Sequence, residues 1–277
     1  MPELPEVETI RRGLERRLVG ARIASVVVRE PRLRRPVDVA RLRTLVGRTV
    51  QAVRRRGKYL VLDVGDGLVW LIHLGMSGRV MLAGPDAPVE RHEHIRVELR
   101  GSDPMGSDPA VLRYSDPRRF GLMRVGREKE LPELAGLGPE PLAEALDRTA
   151  VSRRLRATRR QVKVALLDQR LLAGIGNIYA NEILFRAGVR PTRRGVRVKR
   201  AEAARILESM REVLSEAVER RGTSFSDYFD SDGIPGTFQT VLAVFDREGK
   251  ACFRCGSPIR RHFHGGRSSF YCAGCQR

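Results

Sequence analysis

The sequence predicts an α+β protein of two domains: a β-rich N-terminal half that opens on a helix, and a helical C-terminal half that ends in a small cysteine-bearing module. Three observations predict it. Short β-branched runs separated by Gly and Asp fill much of residues 22–114, the pattern of a β-sandwich or barrel. From about residue 151 the apolar positions recur at helical spacing. All four cysteines lie within the last 26 residues, which excludes a chain-wide disulfide framework. With 277 residues, each half can bury its own core.

Taken in order, Pro5 suits a first helical position, and Val7, Ile10, Leu14 and Leu18 follow on one helical face. Arg22 to Val28 reads as a strand, and Leu42, Leu45 and Val46 fall on a short helix. Further strands are expected over Thr49–Arg56, Tyr59–Val64, Leu68–Leu74, Arg79–Leu82, Ile95–Leu99 and Val111–Tyr114. The doubled Gly-Ser-Asp-Pro at 101–109 reads as a surface hairpin loop. The first domain is placed at 1–133, a Pro/Gly/Glu-rich linker at 134–150, a helical domain at 151–243 and the cysteine module at 244–277. Helices are expected over Val162–Leu172, Ile178–Ala187 and Ala201–Arg221, followed by a long Gly/Ser/Asp-rich loop, 222–238, of a length typical of functional segments.

Lys and Arg number 52 against 33 Asp and Glu, a net charge of +19. On a folded chain that points to a polyanionic partner, nucleic acid before anionic membrane. Arg-rich composition bias explains Arg over Lys but not the excess over acids. Only Lys58, Lys129, Lys163, Lys199 and Lys250 are lysines. Lys exchanges a proton where Arg does not, so these few positions are candidates for a titratable amine. No apolar run reaches transmembrane length and the acidic N-terminus is no signal peptide, so a soluble cytoplasmic protein is expected.

The chain opens Met1-Pro2-Glu3-Leu4-Pro5-Glu6-Val7-Glu8. Met before a small residue is the usual substrate for initiator-Met removal, which would leave Pro2 with a free secondary amine. Such an amine, with a pKa of about 7.7–8.0, attacks carbon electrophiles and forms a Schiff base that stays cationic. Glu3 and Glu6 lie beside it as proton carriers. The same residues also fit an ordinary acidic helix start. Lys58 sits beside Arg54, Arg55 and Arg56, whose charge would favour its neutral form, or the run is simply a solvated edge. His73 to Gly78 and Asp116 to Gly121 put Met76, Arg118 and Phe120 on Gly-flanked turns, suited either to wedging into a duplex or to core packing. Gly174-Ile-Gly176-Asn177 precedes a helix, a phosphate site, a simple cap by Asn177, or both. Cys252/Cys255 and Cys272/Cys275 form two CxxC knuckles, the spacing of one structural, four-thiolate zinc ion. His262 and His264 lie between them as spare ligands, and Arg267 falls on the intervening hairpin.

Placed together, PELPEVET (2–9), RGKYL (56–60), HLGMSG (73–78), DPRRFG (116–121), GLGPEPL (136–142), GIGNIY (174–179), SDGIPG (231–236) and the cysteine module run through the whole chain. In that order they resemble the bacterial formamidopyrimidine-DNA glycosylase family. The resemblance implies a β-sandwich with an N-terminal helix, then a helix–two-turn–helix DNA-binding domain with a zinc-finger β-hairpin, and duplex DNA held in a basic cleft. It implies a monomeric glycosylase and AP lyase acting on oxidised purines or abasic sites in double-stranded DNA. Pro2 would attack C1′, Glu3 would move protons, Lys58 would serve β-elimination and Arg267 δ-elimination. Met76, Arg118 and Phe120 would fill the space of a flipped nucleotide, beneath a 223–238 loop that covers the flipped base. His92, Arg118, Asn177 and Arg267 would hold phosphates. Arg159 stands where the family often has a DNA-binding Lys, Lys163 is kept and is expected to bind DNA with it, and Val164 replaces a common Pro. The sister endonuclease VIII family, which prefers oxidised pyrimidines, and a non-catalytic damaged-DNA binder are the alternatives.

Overall fold

The structure is a computed structural model that describes residues 1–101, 110–224 and 228–277. Apart from Gly101, the doubled Gly-Ser-Asp-Pro loop lies outside the described residues. The chain forms two compact units, one of Met1–Ala135 with Arg220–Thr237, the other of Gly136–Glu219 with Phe238–Arg277. The segment that composition groups with the helical half thus folds with the β-rich unit.

The first unit opens with α1 (Leu4–Leu18). Glu3 stands at its N-cap with extended backbone, and Pro5 sits in the first turn, where its missing N–H costs nothing. Val7, Ile10, Leu14 and Leu18 form one buried face, and each buried side chain contributes about 1.5–3 kcal/mol. The unit continues through β1 (Arg22–Val28), α2 (Val39–Arg43), β2 (Ala52–Arg56), β3 (Tyr59–Asp63), β4 (Leu68–His73), β5 (Arg79–Ala83), β6 (Glu93–Arg100), β7 (Ala110–Ser115), β8 (Leu122–Arg127) and α3 (Pro132–Ala135). Two four-stranded antiparallel sheets result, ordered β1-β6-β7-β5 and β2-β3-β4-β8.

The uninterrupted apolar runs in β3 and β4 have a simple cause. Leu60, Leu62, Trp70 and Ile72 point into the sandwich core with the α1 face, while Val61, Val69 and Leu71 pack outward against Leu122 and Leu131. Successive side chains on a strand alternate faces, so a sheet covered on both sides needs apolar residues throughout.

The second unit holds α4 (Arg148–Ala157), α5 (Val162–Leu166), α6 (Asn177–Arg186), α7 (Arg200–Glu219) and the antiparallel hairpin β9 (Ile259–His264) and β10 (Arg267–Cys272). Asp147 starts α4 by accepting from Ala150 N–H at 2.8 Å. The helix expected over 162–172 ends at Leu166, where the Leu167 N–H turns back to the carbonyls of Lys163 and Ala165. A separate small core of Phe185, Val244, Ile259 and Phe270 supports the cysteines. Among the described residues no helix is long and apolar enough to cross a membrane.

Candidate active site and nucleic-acid interface

The N-terminal turn of α1 is fixed rather than frayed. Pro2 and Glu3 are buried, whereas Met1, still attached to the Pro2 nitrogen, is 47% exposed. The Glu3 N–H donates to Glu6 Oε2 at 2.8 Å, and the Thr223 N–H donates to Glu6 Oε1 at 2.7 Å. Both oxygens of Glu6 are therefore committed to backbone, which makes it a clamp and not the proton carrier expected from sequence. The Tyr228 hydroxyl donates to the Glu6 carbonyl at 3.2 Å. Gly222, at φ +80°, lets the chain pass so close that a Cβ there would stand 2.6 Å from Glu6 Oε1. Gly13 does the same for Ser231, whose Oγ would lie 2.0 Å from a Cβ. Gly222, Thr223, Tyr228 and Ser231 are thereby held along α1.

Lys58 is buried in the tight turn between β2 and β3, following Gly57 at φ +56°. The Arg run beside it is largely neutralised. Arg54 pairs with Asp63 and Glu128, each at 2.7 Å, and Arg55 pairs with Glu8 at 3.1 Å. The strong cationic field read from the run is therefore offset by carboxylates distant in sequence. Burial pushes the Glu8 carboxyl up, but the guanidinium charge of Arg11, with Arg12 and Arg55, prevails and leaves its pKa below the ordinary value. Burial, aided by Lys58 and Arg34, pushes His73 down to about 4. The neutral ring accepts the Gly75 N–H through Nδ1 at 3.0 Å.

Asp116, fully buried, joins the two turn motifs. Its Oδ1 accepts from the Ser77 hydroxyl at 2.7 Å and Arg118 N–H at 3.2 Å, and its Oδ2 accepts from the Tyr114 hydroxyl at 3.0 Å and Gly121 N–H at 2.8 Å. Its own N–H donates to the carbonyl of His92, an exposed residue at φ +65°. This hub presents Met76 and Phe120, both 42% exposed, with the Arg118 guanidinium 4.7 Å from the Phe120 ring centroid. Core packing, the alternative for Met76 and Phe120, is excluded by that exposure.

In the second unit Gly176, not Asn177, is the N-cap of α6, and it makes no side-chain cap bond. Asn177 Oδ1 is buried without a hydrogen-bond partner, so the simple-cap reading fails. Lys163 is buried and donates to the Ser268 carbonyl at 2.6 Å and Ser269 Oγ at 2.9 Å. It grips β10 next to Arg267, so the expected DNA contact of Lys163 gives way to support of the hairpin, while Arg159 is exposed. Arg267 is exposed at the end of a two-residue Gly265-Gly266 turn, both glycines at positive φ as a type I′ hairpin demands.

Sequence reasoning missed Glu182. Buried on α6, it accepts the N–H groups of Ala243, Val244 and Phe245 at 2.8–3.0 Å and fixes the chain entering the cysteine module. An acid within the apolar run of α6 was the available signal.

The four cysteine sulfurs lie within 4.8 Å of one another, with Cys255–Cys272 at 3.4 Å and Cys252–Cys275 at 3.8 Å. A tetrahedral ion with about 2.3 Å metal–sulfur bonds needs sulfurs about 3.8 Å apart, so the set fits one soft metal ion. His262 and His264 are exposed and outside that cluster.

A β-sandwich with a clamped N-terminal helix, joined in sequence to helices and a four-cysteine hairpin, is the build of a helix–two-turn–helix nucleic-acid enzyme. Residues 1–123 match the formamidopyrimidine-DNA glycosylase N-terminal domain and residues 137–228 its H2TH domain. Formamidopyrimidine-DNA glycosylases of Thioalkalivibrio sulfidiphilus and Methylococcus capsulatus are 46% and 44% identical over 100% of both chains. A Lactococcus lactis Fpg in complex with Fapy-dG-containing DNA superposes at a TM-score of 0.90, with 34% identity and 100% of each chain covered. The Thermus thermophilus MutM (Fpg) protein does so at 0.87, with 41% identity, covering 99% of this chain and 98% of its own. The chain belongs to the formamidopyrimidine-DNA glycosylase family. The resemblance read from the motifs holds over its full length.

Proposed function

We propose that the protein excises oxidised purines, 8-oxoguanine and ring-opened formamidopyrimidines, from duplex DNA and cleaves the strand at the resulting abasic site. Family membership supports this, as do the Fapy-dG and abasic-site DNA bound by the Lactococcus lactis relatives. The observation that carries the assignment to Pro2 is the clamped first turn, in which Glu6 holds both Glu3 and Thr223. A terminus ordered in advance avoids the entropy of being positioned at each turnover.

With Met1 removed, the Pro2 amine attacks C1′, the C1′–N bond breaks and the base leaves with a proton. Glu3 moves protons during base loss and sugar-ring opening. The iminium has no N–H to lose, so it stays cationic and acidifies the adjacent C2′–H. Loss of that proton expels the 3′ phosphate by β-elimination, with Lys58 as the proton donor. Arg267 serves the second elimination, which expels the 5′ phosphate. Met76, Arg118 and Phe120 occupy the space left by the flipped nucleotide. His92, Arg118, Arg159, Asn177 and Arg267 bind phosphate, and Lys163 acts by holding β10 beneath Arg267. The metal of the four cysteines is a structural zinc ion, whose filled shell leaves no open position for chemistry. The enzyme acts as a monomer on chromosomal DNA in the cytoplasm.

Borohydride trapping on a duplex with one 8-oxoguanine opposite cytosine tests this reading. A covalent protein–DNA band mapping to Pro2 is expected. A band at another residue would refute the Pro2 assignment. Trapping only on an oxidised-pyrimidine duplex would indicate the endonuclease VIII specificity. Lesion binding with no trapped species on either duplex, in protein shown by mass spectrometry to lack Met1, would indicate a non-catalytic binder.

A further inference from the structure

The loop between α6 and α7 carries a basic pocket that the chemistry above does not use. Arg190, Arg193, Arg194, Arg197, Lys199 and Arg277 line this open cavity of about 580 Å³. We propose that it binds the phosphodiester backbone of duplex DNA beyond the lesion, as a continuation of the surface around Arg267. This rests on the DNA-binding reading above.

Glu202 is the carboxylate that meets this cluster, taking the Arg193 guanidinium at 2.5 Å and the Lys199 N–H at 2.8 Å. Among the described residues no carboxylate pairs with the side chains of Arg194, Arg197 or Lys199, and all three are exposed. Like charges crowded in one concavity repel one another and raise the local potential, which a polyanion relieves.

The backbone beneath these side chains is held firmly. Val162 N–H donates to the Arg193 carbonyl at 2.7 Å and Gly195 N–H to the Arg160 carbonyl at 3.0 Å, and Gln161 forms a β-bridge with Arg194. The same short segment leads into the neighbouring cavity of about 490 Å³, where Arg160, Lys163 and Arg170 meet His264 and Arg267. Basic side chains therefore recur from Arg267 through Arg170 and Arg160, the latter paired with Asp168 at 3.2 Å, to the 190–199 loop.

An extended, stiff polyanion suits that track. Once a duplex is held at Arg267, further contact along the same duplex is intramolecular and gains from high effective concentration. A membrane surface fits less well, because an interfacial segment needs a broad apolar face. Here Val196 is the exposed large hydrophobic residue of the loop.

The test compares wild type with R194Q/R197Q/K199Q, and with R16Q/R43Q/R127Q as a control that removes equal charge from exposed positions of the other unit. Binding to an undamaged duplex of about three helical turns (about 10 base pairs each) is measured against salt concentration. Each phosphate contact adds about 0.9 to the slope of log affinity against log salt. The loop variant should lose about 2 from that slope and the control much less. Single-turnover cleavage of a lesion duplex of about one turn should be the same in all three proteins.

A loop variant with the wild-type slope, or a loss no larger than the control's, overturns the proposal. So does slower cleavage of the short duplex, which would place the loop within the lesion footprint. Loss of binding to phosphatidylserine vesicles with an unchanged DNA slope would assign the pocket to membranes instead. Failure of the glycosylase reading would appear separately, as wild type that cleaves no lesion duplex.

Discussion

Both carboxylate oxygens of Glu6 accept backbone N–H groups, from Glu3 and from Thr223, in a site 2% exposed. Glu6→Gln replaces one oxygen with an NH₂ group, leaving one buried N–H facing another donor. That costs about 1–3 kcal/mol. The variant should unfold at lower urea concentration and trap lesion DNA more slowly, because Pro2 and the 220–237 segment lose their common anchor. An unchanged urea midpoint would remove the clamp from the argument. His73 gives a pH signature in the same unit. Burial first, then Lys58 and Arg34, lowers its pKa to about 4, against about 6.5 unfolded. Between those values the unfolded chain takes up a proton that the folded chain refuses, so stability present above about pH 6.5 is lost as pH falls toward 4. His73→Asn keeps an acceptor for Gly75 N–H but does not titrate. The stability difference between pH 7 and pH 5, read by urea unfolding, should shrink by about 2 kcal/mol in the variant. An undiminished difference would mean that other groups carry the acid sensitivity.

The loops that present Met76, Arg118 and Phe120 belong to separate stretches of chain, and Asp116 makes them one element. Asp116→Ala would strand the hydroxyls of Ser77 and Tyr114 and the Gly121 N–H in a buried site, and leave the Arg118 N–H with Ser77 Oγ alone. A loss of about 3–5 kcal/mol is expected, with Asp116→Asn intermediate because it keeps one acceptor oxygen. Lesion-duplex affinity should fall in the same order, measured by fluorescence anisotropy. Stability of Asp116→Ala within 1 kcal/mol of wild type, roughly one ordinary hydrogen bond, would deny the hub its role. The same contrast explains what the sequence made legible. The buried face of α1, the runs of β3 and β4 and the paired CxxC knuckles announce themselves within a few residues, because periodicity or ligand spacing is local. Strand β8 and helix α4 do not. Leu122–Arg127 has no alternation to read, being covered on both faces, and α4 buries only Val151 and Leu155 among its arginines. Nor could a linear reading tie Thr223 to Glu6 or Lys163 to Ser268, since each bond closes a loop of more than a hundred residues.

At the scale of the molecule, the four-cysteine cluster and Pro2 lie in different compact units, and the single tryptophan separates them experimentally. Trp70 is buried in the core of the first unit. The cysteine module is in the second, where Asn181 Oδ1 accepts the Phe270 N–H at 2.8 Å and Lys163 grips Ser268 and Ser269. Without an ion the cysteines take up protons and leave the small core of Phe185, Ile259 and Phe270 without its cross-link. Folding and metal binding in such modules are one equilibrium. Removing the proposed zinc with a strong chelator should unfold β9 and β10, scatter Arg267 from its hairpin turn, and abolish lesion-duplex binding and strand cleavage. Trp70 emission should keep its buried, blue-shifted maximum throughout, because nothing in its core depends on the metal. Restored zinc should bring binding back without any change in that maximum. A red shift of Trp70 on chelation would show that the sandwich needs the second unit in order to fold. Undiminished cleavage by metal-free protein would show that the hairpin is dispensable for holding the phosphates.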